Sequence, residues 1–407
     1  KNYGKSWESL VDEEDVFGYA LSFIQDPVEP NLMFLGTEHG LYISLDGAKN
    51  WTKFNNGYPN VSTMDLAIQE RESDLVIGTF GRAIYVLDDI QPLRVLAKNG
   101  QNDVLKSAVT LVPTKTAYQV SSRAGNGQRH PGSATFAGEN RPYGFAEIKF
   151  FANTEMDDNA KKKQKAKIEI LDMNGNLVRD FESNIENGLN VARWRFDENA
   201  PEQEDASNQG GISRFLRQGT PALPGTYKVK VTVNGESDET SLEYKTDPRE
   251  DISMEVLVAK REMLKQIGEV SREVASMSSK LAEDLKTVQS VLDALKGKNG
   301  EEYAELKKKS NETKKELEEI QALIGSSSRG FWGSSDGPTP LISHVFSAMR
   351  SVSGTNDMPG RTQKMLMERI EKQQAEVQQK MDSWYTSNWN AYLNAVKAVN
   401  FSPIGSK

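Results

Sequence analysis

Side chains able to carry chemistry are few in this chain and scattered along it. The three histidines, His39, His130 and His344, lie far apart, and neither H-E-x-x-H nor a histidine pair at helical spacing offers the nitrogen ligands of a zinc site. Cysteine is absent, which removes disulfides, thiolate metal sites and cysteine nucleophiles. No G-x-S-x-G elbow or phosphate-cradling glycine loop occurs. Glycoside hydrolysis needs two carboxylates facing each other across a cleft. Asp88 and Asp89 are adjacent at a strand end; neighbours on a strand point to opposite faces, so they are not expected to form such a pair. Asp172 and Asn174 open like a calcium loop but lack a closing acidic ligand, and a turn is expected instead. No metal set, cofactor signature or catalytic constellation follows. Two aromatic groups remain, Phe331-Trp332 in a Gly/Ser setting and Trp384, Tyr385, Trp389 and Tyr392. Both are candidates for docking; the second has a ligand platform as its sharper reading and a core stripe, or a face docked on a neighbour, as the favoured one.

Composition narrows the classes further. A chain of 407 residues calls for two or three domains. Its net charge of −8 argues against a nucleic-acid binder that relies on phosphate contacts. The basic run Lys161-Lys162-Lys163-Gln164-Lys165 sits between two alternating apolar segments and reads as a solvated loop. No apolar stretch is long enough to span a bilayer, and no signal peptide opens the chain. Lys1 to Trp7 begin inside a repeat, so further repeats are expected to precede them.

That repeat dominates the first ninety residues. Trp7 and Trp51 are about 44 residues apart, a period suited to propeller blades. Ile24-Gln25-Asp26, Phe34-Leu35-Gly36-Thr37 and Leu41-Tyr42-Ile43 are matched by Ile68-Gln69-Glu70, Val76-Ile77-Gly78-Thr79 and Ile84-Tyr85-Val86. Between the two copies, Ser44-Leu45-Asp46-Gly47-Ala48-Lys49-Asn50-Trp51 fits the pattern S-x-D-x-G-x-x-W. Ser44 and Asp46 can hydrogen-bond within a hairpin turn, Gly47 can take a positive φ, and Trp51 supplies an apolar plug.

On these residues the chain resembles the BNR/Asp-box repeat β-propellers, and most closely the bacterial sortilin-N-terminal-like or "BNR-repeat glycosyl hydrolase" group. In that group a closing blade ends in a phrase matched here by Gly78-Thr79-Phe80-Gly81-Arg82-Ala83-Ile84-Tyr85-Val86-Leu87-Asp88-Asp89. The resemblance implies that Ser44, Asp46, Gly47 and Trp51 hold the fold on a rim away from any active centre. Sialidases in the wider group use an arginine cluster with a Tyr/Glu nucleophile; Arg82 and Tyr85 match a blade strand but not that constellation. Residues before Gln91 supply only about two blades, and propellers need about four to eight. Catalytic residues, if the whole protein is an enzyme, would then lie mostly in other blades.

Behind the repeat, residues 106–247 read as a β-sandwich of the Ig, Fn3 or FlgD-like kind. Alternating segments such as Ala146–Phe150, Lys167–Asp172 and Thr226–Val233 are separated by turn signals including Asn174-Gly175-Asn176. Long polar loops are expected at 119–143 and 198–220, with Gly210–Arg217 a candidate docking segment. From 248 to 407 the period changes to helical. Leu257, Leu264, Ile267, Val274, Leu281, Leu285, Val288, Leu292 and Leu295 follow a three–four spacing. Glycines at 297 and 300 end that helix, a second amphipathic helix makes an antiparallel hairpin, and one more long helix runs from 361 to 399.

The expected architecture is therefore propeller blades at 1–105, a sandwich at 106–247 and a helical bundle at 248–407. The expected function is binding or scaffolding, with a protein or glycan partner, outside the cell or at a bacterial surface. Alternatives are a glycan-processing hydrolase and a subunit of an outer-membrane-associated assembly.

Overall fold

The computed structural model describes residues 3–119, 144–154, 164–200, 219–325 and 339–399. Several antiparallel sheets are followed by a C-terminal helical region. Two compact units form: residues 1–196 with 224–249, and residues 197–223 with 250–407.

The first unit opens with two meanders. Strands β1 (Ala20–Gln25), β2 (Met33–Thr37), β3 (Gly40–Ser44) and β4 (Thr52–Phe54) pair in sequence order, as do β5 (Thr63–Gln69), β6 (Asp74–Thr79) and β7 (Ile84–Leu87). Their registers coincide. Phe34 opposes Ile43 and Leu35 opposes Tyr42 in the first meander, while Val76 opposes Val86 and Ile77 opposes Tyr85 in the second. Both first strands shift register at matching places, between Ala20 and Ser22 and between Thr63 and Asp65. This register makes Ala67 the counterpart of Ile24, one position earlier than the sequence comparison places it, because Ile24 opposes Phe34 and Ala67 opposes Val76. The turns that follow differ in length, and a comparison anchored on the apolar letter slips by one.

Strand alternation sorts each meander into two faces. Ile24, Phe34, Leu41 and Ile43 of the first meet Leu66, Leu75, Ile77 and Tyr85 of the second in one apolar core. On the opposite face of the first, Met33, Leu35 and Tyr42 are covered by Val11, Val16 and Trp51. Gly36 sets how closely the meanders approach: a Cβ there would stand 2.6 Å from the Thr63 carbonyl oxygen and 2.3 Å from Ser22 Oγ. Ser22 Oγ donates to that same carbonyl at 3.1 Å.

After β7 come two short helices, α1 (Gln91–Asn99) and α2 (Gln101–Lys106). The sequence pattern does not announce them, although Pro92 is well suited to the first turn of α1. Helix α1 fastens the meanders together. Arg94 Nε donates to Asp26 Oδ2 at 3.0 Å and Arg94 Nη1 to Ser73 Oγ at 2.8 Å, so one buried guanidinium reaches the β1–β2 and β5–β6 connections. Its other nitrogen, Nη2, lies 2.9 Å from Asp26 Oδ2 but off the hydrogen-bonding direction, which makes it a Coulombic contact only. Asp26 Oδ1 is filled by the Val28 and Glu29 amides, each at 2.7 Å.

The second β region comprises β8 (Val109–Leu111), β9 (Ala117–Gln119), β10 (Ala146–Ala152), β11 (Lys165–Leu171), β12 (Leu177–Asn184), β13 (Gly188–Trp194), β14 (Gly225–Val233) and β15 (Glu236–Thr246). They form one sheet in the order β13-β10-β8 and another in the order β12-β11-β14-β15-β9. The sheets meet at an aromatic cluster: Trp194 of the first is edge-on to Tyr227 and Tyr244 of the second, with centroids 5.0 and 6.1 Å away. Val95 of α1 and Val104 of α2 pack with Phe151 of β10, so these helices join the meanders to this region.

In the second unit, α3 (Met254–Ala294) and α4 (Glu301–Ile324) form the hairpin, with Lys314 Nζ donating across it to Gln289 Oε1 at 2.9 Å. Helices α5 (Leu341–Ser353), α6 (Arg361–Trp384) and α7 (Asn390–Ala398) complete one shared core. The single helix expected over 361–399 is interrupted by a π turn at Tyr385–Trp389. No helix among the described residues is long and apolar enough to cross a membrane.

Gly36→Val should destabilise the first unit by about 1–3 kcal/mol, the cost of forcing atoms into a filled space. Urea unfolding followed by fluorescence of the meander residues would measure it, with Gly225→Val, where a Cβ meets nothing within 4 Å and φ is not positive, as a control for β-branching at a glycine.

Candidate functional site

The S-x-D-x-G-x-x-W segment folds as a self-saturating turn. Ser44 Oγ donates to Asp46 Oδ1 at 2.9 Å, and the amides of Lys49 and Asn50 reach the same oxygen at 3.1 and 2.9 Å. Asn50 Nδ2 donates to Asp46 Oδ2 at 2.6 Å, and the Ala48 amide to Ser44 Oγ at 2.9 Å. Gly47 has φ +74° and its amide donates to the Asn31 carbonyl at 3.0 Å. Trp51 is buried, and its Nε1 donates to the Leu10 carbonyl at 2.9 Å. Burial works to raise the Asp46 pKa, but the hydrogen bonds from Asn50, Ser44 and Lys49 together outweigh it and hold the carboxyl below its ordinary value. A carboxylate so occupied keeps a turn closed and has little left with which to meet a substrate. Asp172 repeats the device on a smaller scale: its Oδ1 accepts from the Asn174 and Asn176 amides at 2.8 Å each, the turn expected there.

The Gly78–Asp89 phrase divides into a turn and a strand end. Thr79 Oγ1 donates to the Ala83 carbonyl at 2.7 Å, and Gly81 at φ +85° and Ala83 at φ +57° bend the chain between β6 and β7. Gly78 pairs with Ile84 across the hairpin, with Arg82 exposed beside it. Tyr85 packs edge-on against Tyr58 at 5.2 Å.

Asp88 and Asp89 do come together with other charges. They lie past the end of β7, and Asp89 has φ +63°, which breaks the alternation that would have sent them to opposite faces. Both line a cleft of about 290 Å³ formed with residues 113–118 and 144–149. Asp89 Oδ2 accepts from Lys149 Nζ at 2.7 Å, and Oδ1 lies 3.9 Å from Lys115 Nζ. Asp74, buried behind them, accepts from Lys115 Nζ at 3.3 Å and from the Asp89 amide at 3.0 Å. Glu147 shares Lys149 at 3.6 Å and takes Arg193 at 3.2 Å, while that guanidinium covers one face of Phe145 at 4.7 Å. Asp89 and Glu147 thus engage one ammonium.

Lys115, Lys149, Asp74 and Glu147 were not legible as a group, since up to 75 positions separate them and only tertiary pairing brings them to one place. The lining residues Tyr118 and Gly144 flank residues 120–143, which lie outside the described part, as do His130, Lys161–Lys163 and Gly210–Arg217. Phe331 and Trp332, candidates for docking, also lie outside the described residues. Of the other histidines, His39 stacks on Phe17 at 4.6 Å and His344 Nδ1 contacts Gln373 at 2.5 Å. No group of three metal-binding side chains occurs among the described residues.

Trp384 and Trp389 are turned inward rather than offered as a platform. Trp384 is buried, and its Nε1 donates to Glu316 Oε2 at 2.7 Å, an oxygen that Asn388 also reaches at 2.8 Å. Five positions along a regular α-helix would separate the two indoles around the axis. The π turn absorbs the extra residue and brings their centroids to 5.9 Å, with Trp389 5.5 Å from the fully buried Tyr392.

No protein-family model matches this chain, and no curated protein matches it.

Two outcomes follow. Asp46→Ala should cost about 1–3 kcal/mol, as expected when several charge-assisted hydrogen bonds that close one turn are removed. Because the folded Asp46 pKa is lowered from 3.8, its contribution is complete above that value and fades as pH falls through the folded value. Asp46→Asn should flatten this acid limb in urea titrations carried from about pH 5 downward through the folded value. Trp384→Ala should lower the stability of the helical unit by about 3–5 kcal/mol in thermal or urea unfolding, as a core aromatic does and a docking residue does not.

Proposed function

We propose that this chain belongs to a recognition scaffold working outside the cell or at a bacterial cell surface, with the two meanders as blades of an Asp-box propeller. On this reading the second β region is an accessory sandwich and the helices a docking bundle. One observation carries it: the meanders stack head to tail, and the stack is left open. Phe34, Leu41 and Ile43 of the first meander are covered by the second. Of their register counterparts, Val76 is half-buried while Ile84 is 68% and Val86 48% exposed, so no meander covers this face among the described residues. An apolar face that repeats a covered one calls for a further meander of the same kind. Strand β7 is also an edge, with no partner corresponding to β4 among the described residues.

A binding role is favoured over hydrolysis because the carboxylates nearest a cleft are tied into ion pairs and the Asp-box carboxylate into its own turn. The surface location follows from the resemblance to Asp-box proteins. An outer-membrane-associated assembly would suit the same scaffold, with partners rather than a spanning helix holding it there.

The test is an electron-microscopic or crystal structure of the protein isolated from its natural source, together with turnover assays on a panel of aryl glycosides. The reading expects another meander seated on Ile84 and Val86 and no glycoside cleavage. A solvent-open β5–β7 face in the native protein would overturn the propeller, and turnover would overturn the non-catalytic role.

A further inference from the structure

The cleft beside Asp89 has features that ion pairing alone does not require. Its two ammonium groups are already neutralised: Lys149 by Asp89 and Glu147, and Lys115 by Asp74 and Asp89. Each spends at most two of its three N–H donors on these partners. Asp89, whose Oδ1 takes only the Gln91 amide at 3.3 Å as a hydrogen bond, and the partly exposed Glu147 retain acceptor positions beside them. Lys149 remains 20% and Lys115 33% exposed, so these donors can be approached from the cavity. Tyr118 lines the same space and keeps 43% of its surface exposed, providing an apolar ring next to the polar row.

We infer that this cleft binds an uncharged, polyhydroxylated ligand, a neutral saccharide of one or two rings, resting on the reading of the chain as a recognition protein. A charged ligand would have to compete with an ion pair for its partner. A hydroxyl donates and accepts at once, so vicinal hydroxyls match an ammonium and a carboxylate held side by side without separating them. The C–H face of a sugar ring matches Tyr118. The volume of about 290 Å³ lies at the small end of ligand sites, where one or two rings fit. Ion-paired Lys149 and Lys115 serve as oriented donors, Asp89 and Glu147 as acceptors, and no bond is made or broken.

Saturation-transfer NMR on the 407-residue chain with lactose, cellobiose, maltose and N,N′-diacetylchitobiose tests this. At least one disaccharide should bind, and Tyr118→Ala and Lys149→Gln should each weaken it by about tenfold or more. Circular dichroism must show both variants folded; Tyr118→Ala, at an exposed position, keeps the test decisive if Lys149→Gln does not fold. Absence of binding to all four sugars, binding unchanged in Tyr118→Ala, or binding of tri-lysine or tri-arginine instead would overturn the proposal. Release of monosaccharide in the same samples would support the cleft and overturn the non-catalytic reading, so the two can fail separately. A missing meander in the native structure would likewise leave the sugar result standing.

Discussion

The first unit is organised by one buried cation. Arg94 leaves α1 and reaches Asp26 in one meander and Ser73 in the next, where neither partner can be replaced by water. Burying an ion pair costs about as much in desolvation as it returns in attraction, so its worth lies less in net stability than in the arrangement it selects. Here it selects the angle at which β7 ends. The Ser73 carbonyl accepts from the Ile90 amide at 2.7 Å, and Asp74, its neighbour, accepts from the Asp89 amide. Ser73, which anchors Arg94, and its neighbour Asp74 thus hold the backbone just past β7, where Asp88 and Asp89 line the cleft. Val95, one position further along α1, packs towards Phe151 of β10, the strand that also carries Lys149. Meander stacking, helix docking and the charged cleft thus meet around one connection, β5–β6, and its neighbours.

What was legible in the sequence is what depends on near neighbours. The Asp46 turn could be read because all its donors lie within six residues, from Ser44 to Asn50. The a/d pattern of α3 could be read because helical spacing fixes which side chains share a face, and Leu257, Ile267, Val274, Leu281 and Val288 are indeed buried. Asn174-Gly175-Asn176 marked its hairpin for the same reason. The cleft could not be read. Asp89 and Lys149 are sixty positions apart, and nothing in the letters around either residue announces the other. The alternation rule does not extend to Asp88-Asp89, because it holds only inside a strand and a left-handed residue stands just outside β7.

The two units also differ in how they solve a register problem. In the meanders a one-residue shift at the start of β1 and of β5 keeps the apolar faces aligned with the next repeat. In the helical unit a π turn does comparable work, rotating Trp389 to meet Trp384 and freeing Asn388 to share the Glu316 carboxylate. Tyr385, at the start of that turn, donates to Asp284, and burial pushes the Asp284 pKa up despite this hydrogen bond and the nearby Lys280. Polar groups at this depth are tolerated because each has a partner. Aromatic residues that look like a binding platform in sequence are here the means of closing a bundle.

Arg94 reaches Ser73, whose carbonyl holds the Ile90 amide, so the buried guanidinium and the Asp88–Asp89 end share one connection. The most direct measurement is hydrogen exchange at the Asp89 and Ile90 amides in Arg94→Met, compared with Asp26→Asn and the double variant. The account predicts that each single change exposes both amides to the same extent, and that the double variant is no worse than either single. Unchanged protection of Asp89 and Ile90 in a folded Arg94→Met protein would contradict it, and would mean that the strand end and the cleft are held by their own contacts.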